Sequence, residues 1–258
     1  MKLELRDLEI LFGERTVVEL GALDVGAGEI VGLVGESGSG KSMTALAVLG
    51  LAETAGARVT GSVKLDGREL VGAPAVQLRE IRGSRIAMIF QHPVSTFNPV
   101  FRVGDIFLRA LRLHGASRRE AVERARAALG EVLLPYELLE RYPHQLSGGQ
   151  AQRVGIALAV ALRAEVLIAD EATSALDVTV QAEIVELLAR LRELEGIAIL
   201  FISHDLAVVA QLCDRVAVMR QGRIVEAGKT AEVLHTPSDS YTRELIAAVP
   251  RIAAGSST

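Results

Sequence analysis

Apolar positions along the chain follow three rhythms, and each predicts a different kind of element. The first comes in short runs that read as strands at residues 3–11, 16–20 and 29–34, separated by glycine turns at Gly13 and at 26–28. The second is helical spacing through residues 103–164, most regular at 118–129 and broken at Pro135 and Pro143. The third is a set of three wholly apolar runs, 166–169, 197–202 and 216–219, with helical segments between them. A strand apolar at every position needs both faces covered, which is the condition of a mostly parallel sheet. Shorter elements fill the remainder: a helix at 43–51, a strand at 62–65 turning at Asp66 and Gly67, a helix at 76–82 and a strand at 86–90. A helix at 240–249 leads to a small, polar tail that is expected to fray. The pattern predicts an α/β core with antiparallel strands at its N-terminal end and an inserted helical lobe at about residues 100–164.

Half of the 258 residues are apolar, enough for a sizeable core, and one domain spanning 1–258 is the expectation. The formal charge of -4 supplies no positive field for a polyanionic backbone, so nucleic acid is disfavoured as a partner. A lone cysteine, Cys213, excludes an internal disulfide and a multi-cysteine metal centre. The start MKLELRDLEI lacks the basic-then-apolar order of a secretion signal, which points to the cytosol. The most apolar stretch, 154–169, is interrupted by Arg163 and Glu165 and falls short of the roughly 18 to 20 apolar residues of a membrane span. Membrane association is therefore expected through other proteins.

Chemistry enters at the end of the third strand. Gly35-Glu36-Ser37-Gly38-Ser39-Gly40-Lys41-Ser42 satisfies G-x-x-x-x-G-K-[ST], after an apolar strand and before a helix. In such a phosphate loop the glycines let backbone amides turn inward around the β-phosphate, Lys41 reaches the β and γ oxygens, and the Ser42 hydroxyl ligates Mg²⁺. The apolar run 166–169 ends in Asp170 and Glu171, which predicts Asp170 in the magnesium shell and Glu171 as the base that activates water. His204 follows the run 197–202 and is placed to reach the γ-phosphate or its water. Gln91 follows the strand 86–90, at the strand ends where open α/β sheets hold ligands, and its amide can coordinate metal and orient water.

With Ser147-Gly148-Gly149-Gln150 added, the chain resembles the nucleotide-binding subunit of an ATP-binding-cassette transporter over nearly its whole length. The resemblance implies a P-loop NTPase core and an ATPase that uses ATP and Mg²⁺. It also implies that Ser147, Gly148, Gly149 and Gln150 bind the γ-phosphate of ATP held by the opposite subunit. A capping serine and two glycines at a helix start suit an anion site. By the same resemblance Ser174-Ala175-Leu176-Asp177 lies at the dimer interface, with Asp177 near the nucleotide, and Phe12 stacks on adenine, although Phe12 also suits a core position. Phe97, Pro99 and Phe101 are candidates for contact with membrane subunits, or form a local apolar cluster. Two positions depart from the family pattern: Ala172 stands where proline is usual, and Met43 where threonine is commoner.

Longer blocks narrow the resemblance. Phe90-Gln91-His92-Pro93 with Phe97-Asn98-Pro99-Val100, Tyr142 to Leu146, Asp177 to Gln181, and Tyr241-Thr242-Arg243-Glu244-Leu245 resemble the oligopeptide, dipeptide and nickel importer group. That implies a peripheral subunit on the cytoplasmic side of the cell membrane. Its partners would be a second ATP-binding subunit (a paralogue or a second copy), two transmembrane permeases and an extracytoplasmic solute-binding protein. Uptake of short peptides is the leading expectation. Nickel or a metal chelate is the alternative, raised because only thirteen residues follow Leu245 and none is cysteine. An exporter ATPase or a soluble cassette protein is less consistent with these blocks.

Overall fold

The computed structural model describes residues 2–248 apart from 92 and 175. His92, Ala175, Val249 and the polar tail named above lie outside the described residues. From the N-terminus, β1 (Leu3–Phe12) and β2 (Arg15–Val25) form a hairpin, followed by β3 (Ile30–Val34), α1 (Lys41–Val48), β4 (Arg58–Leu65) and β5 (Arg68–Glu69). Next come α2 (Ala75–Ile81), β6 (Ile86–Ile89), α3 (Pro93–Thr96), α4 (Val103–Leu113) and α5 (Arg118–Glu131). Two short 3₁₀ turns, Tyr136–Glu140 and Pro143–Gln145, lead to α6 (Gly148–Leu162) and β7 (Val166–Asp170). The chain continues through α7 (Val178–Glu195), β8 (Ala198–Ser203), α8 (Leu206–Leu212), β9 (Arg215–Arg220), β10 (Arg223–Lys229), α9 (Thr230–His235) and α10 (Ser240–Ala247).

The strands make two sheets, an antiparallel one in the order β2-β1-β4-β5 and a larger one in the order β10-β9-β3-β8-β7-β6. The larger sheet is parallel except where β10 pairs with β9. Its strands β3, β7 and β8 are buried at every residue, as their unbroken apolar composition demands. Successive side chains point to opposite faces, so the sheet feeds two cores. Ile30, Val34, Leu167, Ala169, Ile199 and Phe201 pack toward α4 to α8. Val31, Leu33, Val166, Ile168, Leu200 and Ile202 pack toward the antiparallel sheet and α1.

Several elements differ from the pattern-based reading. β2 runs to Val25 rather than 20, because Leu23 and Val25 continue its buried face. α1 starts at Lys41, not 43, so the loop's lysine and serine sit on the first helical turn. β10 has no counterpart in the apolar pattern: it is a half-exposed edge strand that carries Arg223, Glu226 and Lys229, so its apolar signal is weak. The prolines at 135 and 143 open 3₁₀ turns rather than simple breaks, since proline supplies a suitable φ and lacks only an amide that a first turn does not use.

A four-charge cluster ties the strand ends together away from the loop. Arg85 donates to Glu165 through Nε at 3.0 Å and Nη2 at 2.9 Å, and Lys2 Nζ lies 2.5 Å from the same carboxylate. Lys2 also donates to Asp66 at 2.8 Å, and Arg85 bonds Asp66 as well. The Arg85 bonds, ahead of the opposing effect of burial, and then Lys2 lower the Glu165 carboxyl from its ordinary 4.5 to about 2. A depressed folded value means the contribution is complete above about pH 4.5 and disappears as pH falls through about 2. The carboxylate is partly solvated, so the gain is about 1 kcal/mol or less. Glu165→Gln is expected to melt a few degrees below the wild type at pH 7, with the gap closing as melts are repeated from pH 5 toward pH 2.5. A gap independent of pH would contradict this account.

Candidate active site

The phosphate-loop sequence occupies the connection from β3 to α1, at the carboxyl end of the parallel sheet. Its first glycine is required sterically, because a Cβ at Gly35 would overlap the carbonyl oxygen of Met219 at the end of β9. The loop is pressed against β9, while Glu36, Ser37 and Gly38 stay exposed. Lys41 is 5% exposed, and its Nζ donates to the carbonyls of Gly35 and Glu36 at 2.8 Å each, with Ser39 Oγ at 3.4 Å. Burial pushes the Lys41 ammonium below the usual lysine range, and the charges of Glu171, Asp170 and Glu36 oppose that shift. Ser39 and Gly40 are buried beneath the loop.

Parallel register brings the other strand ends to this face. Val34 pairs with Ser203, Ile202 with Asp170, and Ala169 with Ile89. From the first turn of α1, Ser42 Oγ donates to Asp170 Oδ1 at 3.0 Å. Burial raises the Asp170 carboxyl above the usual range and the neighbouring Glu171 adds to this, against the Ser42 bond and Lys41. Glu171 gathers the remaining polar groups. Gln91 Nε2 donates to its Oε2 at 2.8 Å, and His204 Nδ1 lies 3.4 Å from its Oε1. Ser174 is a member that motif reading did not single out for this site. Its Oγ accepts from Gln91 at 3.1 Å and donates to the Glu171 carbonyl at 3.0 Å.

Glu171 itself adopts φ 49°, in the left-handed region where a side chain costs about 1–2 kcal/mol. Its amide donates to the Ile202 carbonyl at 2.9 Å and its carbonyl is held by Ser174, which keeps the residue in that conformation. No sequence signal marks this. Ala172, at the position where the family usually has proline, is 2% exposed directly beneath the turn.

The second group of expected residues sits apart from this cluster. Ser147 caps α6: its Oγ accepts from the Gln150 amide at 3.2 Å, and Gln150 Oε1 accepts from the Ser147 amide at 3.0 Å. A Cβ at Gly149 would lie 2.5 Å from Val180 Cγ1, so the second glycine lets α6 approach α7. Gly148 faces Leu176. Asp177 caps α7 by accepting from the Val180 amide at 3.0 Å, and is exposed. Phe12, at the end of β1, is half-buried against the core under the antiparallel sheet.

The donor set suits Mg²⁺. Asp170, the Ser42 hydroxyl and the Gln91 amide offer only hard oxygen ligands, too few for a protein-only cage, which leaves room for water and phosphate oxygens. Among the described residues no group of three or more His, Cys, Asp or Glu can hold a metal. None of the described helices is long and apolar enough to cross a membrane.

A family model described as ABC transporter matches residues 21–174, more than half of the chain. The chain belongs to the ABC transporter family. It is 49% identical over 236 residues to the glutathione import ATP-binding protein GsiA of Escherichia coli O1:K1 / APEC and to that of Salmonella typhimurium strain LT2. In each case the match covers 88% of this chain and 38% of the relative, so the chain spans well under half the length of these relatives. Among solved structures, a dimeric post-hydrolysis state of the ATP-binding cassette MJ0796 bound to ADP and Pi gives TM-score 0.78 at 28% identity. It covers 88% of this chain and 98% of that one. CbiO1 of Clostridium perfringens, part of the ABC transporter complex cbiONQ, gives 0.78 at 26% identity over 97% of this chain and 96% of its own. The family expected from the motifs is the family found.

Proposed function

We propose that this chain is the ATP-hydrolysing subunit of an importer of short peptides, with glutathione-like tripeptides as the leading solute class. The observation that carries the reading is the meeting of Ser42 with Asp170, and of Glu171 with Gln91 and His204, at the end of a complete phosphate loop. Similarity to a glutathione import ATP-binding protein supports import, and supports peptide over nickel.

In this reading the loop amides of residues 35–42 and Lys41 hold the β and γ phosphates, and Phe12 lies against the adenine. Ser42, Asp170 and Gln91 hold Mg²⁺, which when bound neutralises charge on the phosphates. Glu171 accepts a proton from the attacking water. Gln91 fixes one carboxylate oxygen and His204 stands beside the other, so the base faces its water between them. Ser147 to Gln150 and Asp177 complete the site of a facing cassette, which makes hydrolysis a property of two ATP-binding subunits. The unit spans the whole chain with its helical lobe at about 100–164, and two permeases with an extracytoplasmic binding protein are its partners at the cytoplasmic membrane face.

Two cassettes closing over two nucleotides predicts a nucleotide-dependent change in mass. Light scattering on Glu171→Gln is expected to give a monomer without nucleotide and a dimer with MgATP. A persistent monomer with ATP would exclude self-pairing and favour a paralogous companion. The solute is tested in proteoliposomes that carry permeases and binding protein, by comparing uptake and hydrolysis with glutathione, a dipeptide, a longer peptide and nickel. Stimulation by nickel alone would overturn the peptide reading, and outward movement would overturn import.

A further inference from the structure

The most C-terminal described helix touches the phosphate loop. Tyr241, in the first turn of α10, is 3% exposed, and its hydroxyl accepts a hydrogen bond from the Glu36 amide at 3.1 Å, across 205 residues of sequence. The Glu36 carbonyl accepts from Lys41 Nζ at 2.8 Å. Both polar groups of the Glu36 backbone are therefore held, the amide by α10 and the carbonyl by the loop's own lysine. The tyrosine ring is fixed in turn by Arg220, whose guanidinium lies 4.6 Å from the ring centroid. Arg220 follows Met219, the residue whose carbonyl closes on Gly35.

The start of α10 is itself anchored. Asp239 Oδ1 accepts from the amides of Tyr241 at 2.8 Å and Thr242 at 3.3 Å. On β10, Glu226 accepts from the Ser238 amide and hydroxyl at 2.7 Å each and from the Asp239 amide at 3.2 Å. Arg243 donates back to the carbonyls of Pro237 at 3.2 Å and Ser238 at 3.1 Å. A continuous set of bonds thus runs from edge strand β10 through the turn at 238–239 to Tyr241 and the second residue of the loop. Nothing in the proposed chemistry uses this set, yet it ends on an amide whose peptide plane carries the Gly35 carbonyl that accepts from Lys41.

We infer that Tyr241 is a positioning residue for the phosphate loop: by accepting the Glu36 amide it sets the peptide joining Gly35 to Glu36, whose Gly35 carbonyl accepts from Lys41 at 2.8 Å, and through that peptide the place of Lys41. The inference rests on the reading of residues 35–42 as the ATP site. A freely turning peptide between Gly35 and Glu36 would let the Lys41 ammonium follow the Gly35 carbonyl, and the loop would then order itself at the expense of nucleotide binding. Because the loop holds phosphate before and during hydrolysis alike, the loss falls on affinity and leaves kcat unchanged.

The test compares Tyr241→Phe, which keeps the ring and its contact with Arg220 but removes the acceptor, with Leu245→Ala, which trims the packing of α10 on the core and leaves the hydroxyl in place. Calorimetric titration of the full chain with MgATP and MgADP is expected to show roughly three- to tenfold weaker binding for Tyr241→Phe, the range of one lost hydrogen bond. KM rises in proportion, kcat stays at the wild-type value, the nucleotide-free Tm falls by no more than about 2–4 °C, and amide exchange at Glu36 accelerates. Leu245→Ala is expected to lower Tm and to bind nucleotide as the wild type does. Equal weakening in both variants would assign the effect to α10 packing and overturn the proposal, as would unchanged affinity and Glu36 exchange in Tyr241→Phe. Wild-type protein that fails to bind MgATP would instead overturn the ATP-site reading, and the inference with it.

Discussion

Glu171→Gln is expected to bind MgATP as tightly as the wild type and to hydrolyse it about a hundred- to ten-thousandfold more slowly, the span of a lost general base. Glutamine keeps the length and planar end of the side chain, and the residue's left-handed backbone is held by groups that the substitution leaves in place, the Ile202 carbonyl and Ser174. What changes is the ability to accept a proton. In the wild type one carboxylate oxygen accepts from Gln91 at 2.8 Å and the other lies 3.4 Å from His204 Nδ1. Binding survives because Lys41, the loop amides and the pair Ser42 with Asp170 are untouched. Steady-state turnover and an equilibrium titration, made on the same preparation, read the two quantities separately. Wild-type turnover would remove Glu171 from the role of base.

Lys41→Ala is expected to weaken MgATP binding on the order of a hundredfold, as the loss of a charge-assisted contact to phosphate requires. The ammonium is almost fully enclosed and feels the negative charges of Glu171, Asp170 and Glu36, which favour its charged form. Its removal also takes a donor from the carbonyls of Gly35 and Glu36, the latter keeping the Ser39 amide at 3.2 Å. A thermal-shift titration reads the effect directly. A ligand at about a hundred times its dissociation constant stabilises a protein by about 2.7 kcal/mol, and that shift should appear for the wild type and fall to about 0.4 kcal/mol for the variant at the same MgATP concentration. An equal shift in both would show that Lys41 carries no share of the binding.

Much of the fold was legible because its signals are local. The apolar runs at 166–169, 197–202 and 216–219 became β7, β8 and β9, since only strands buried on both faces tolerate such composition. The helical spacing at 118–129 became α5, which starts at the capping box of Ser117 and Glu120. β10 escaped because an edge strand needs no continuous apolar run and is defined by its pairing with β9. The start of α1 escaped because Lys41 and Ser42 carry no helical signal, and the helix begins where Gly40, at φ 107°, turns the chain.

The sequence by itself determined the phosphate loop, the Asp170 and Glu171 strand end and the capping motif of Ser147 and Gln150, because each lies within eight consecutive residues whose types suffice for its chemistry. It could also name Gln91 and His204 as strand-end residues, without showing what they touch. Only the tertiary structure decided that Gln91 meets Glu171 across 80 residues, that Ser42 meets Asp170 across 128, and that Tyr241 meets Glu36 across 205. Those meetings follow from the strand order β9-β3-β8-β7-β6, which is not chain order, and from the parallel register that sets the strand ends level. The left-handed backbone of Glu171 belongs to the same class: it is held by bonds from β8 and Ser174 against the local preference of a glutamate, so no reading of neighbouring residues could have revealed it.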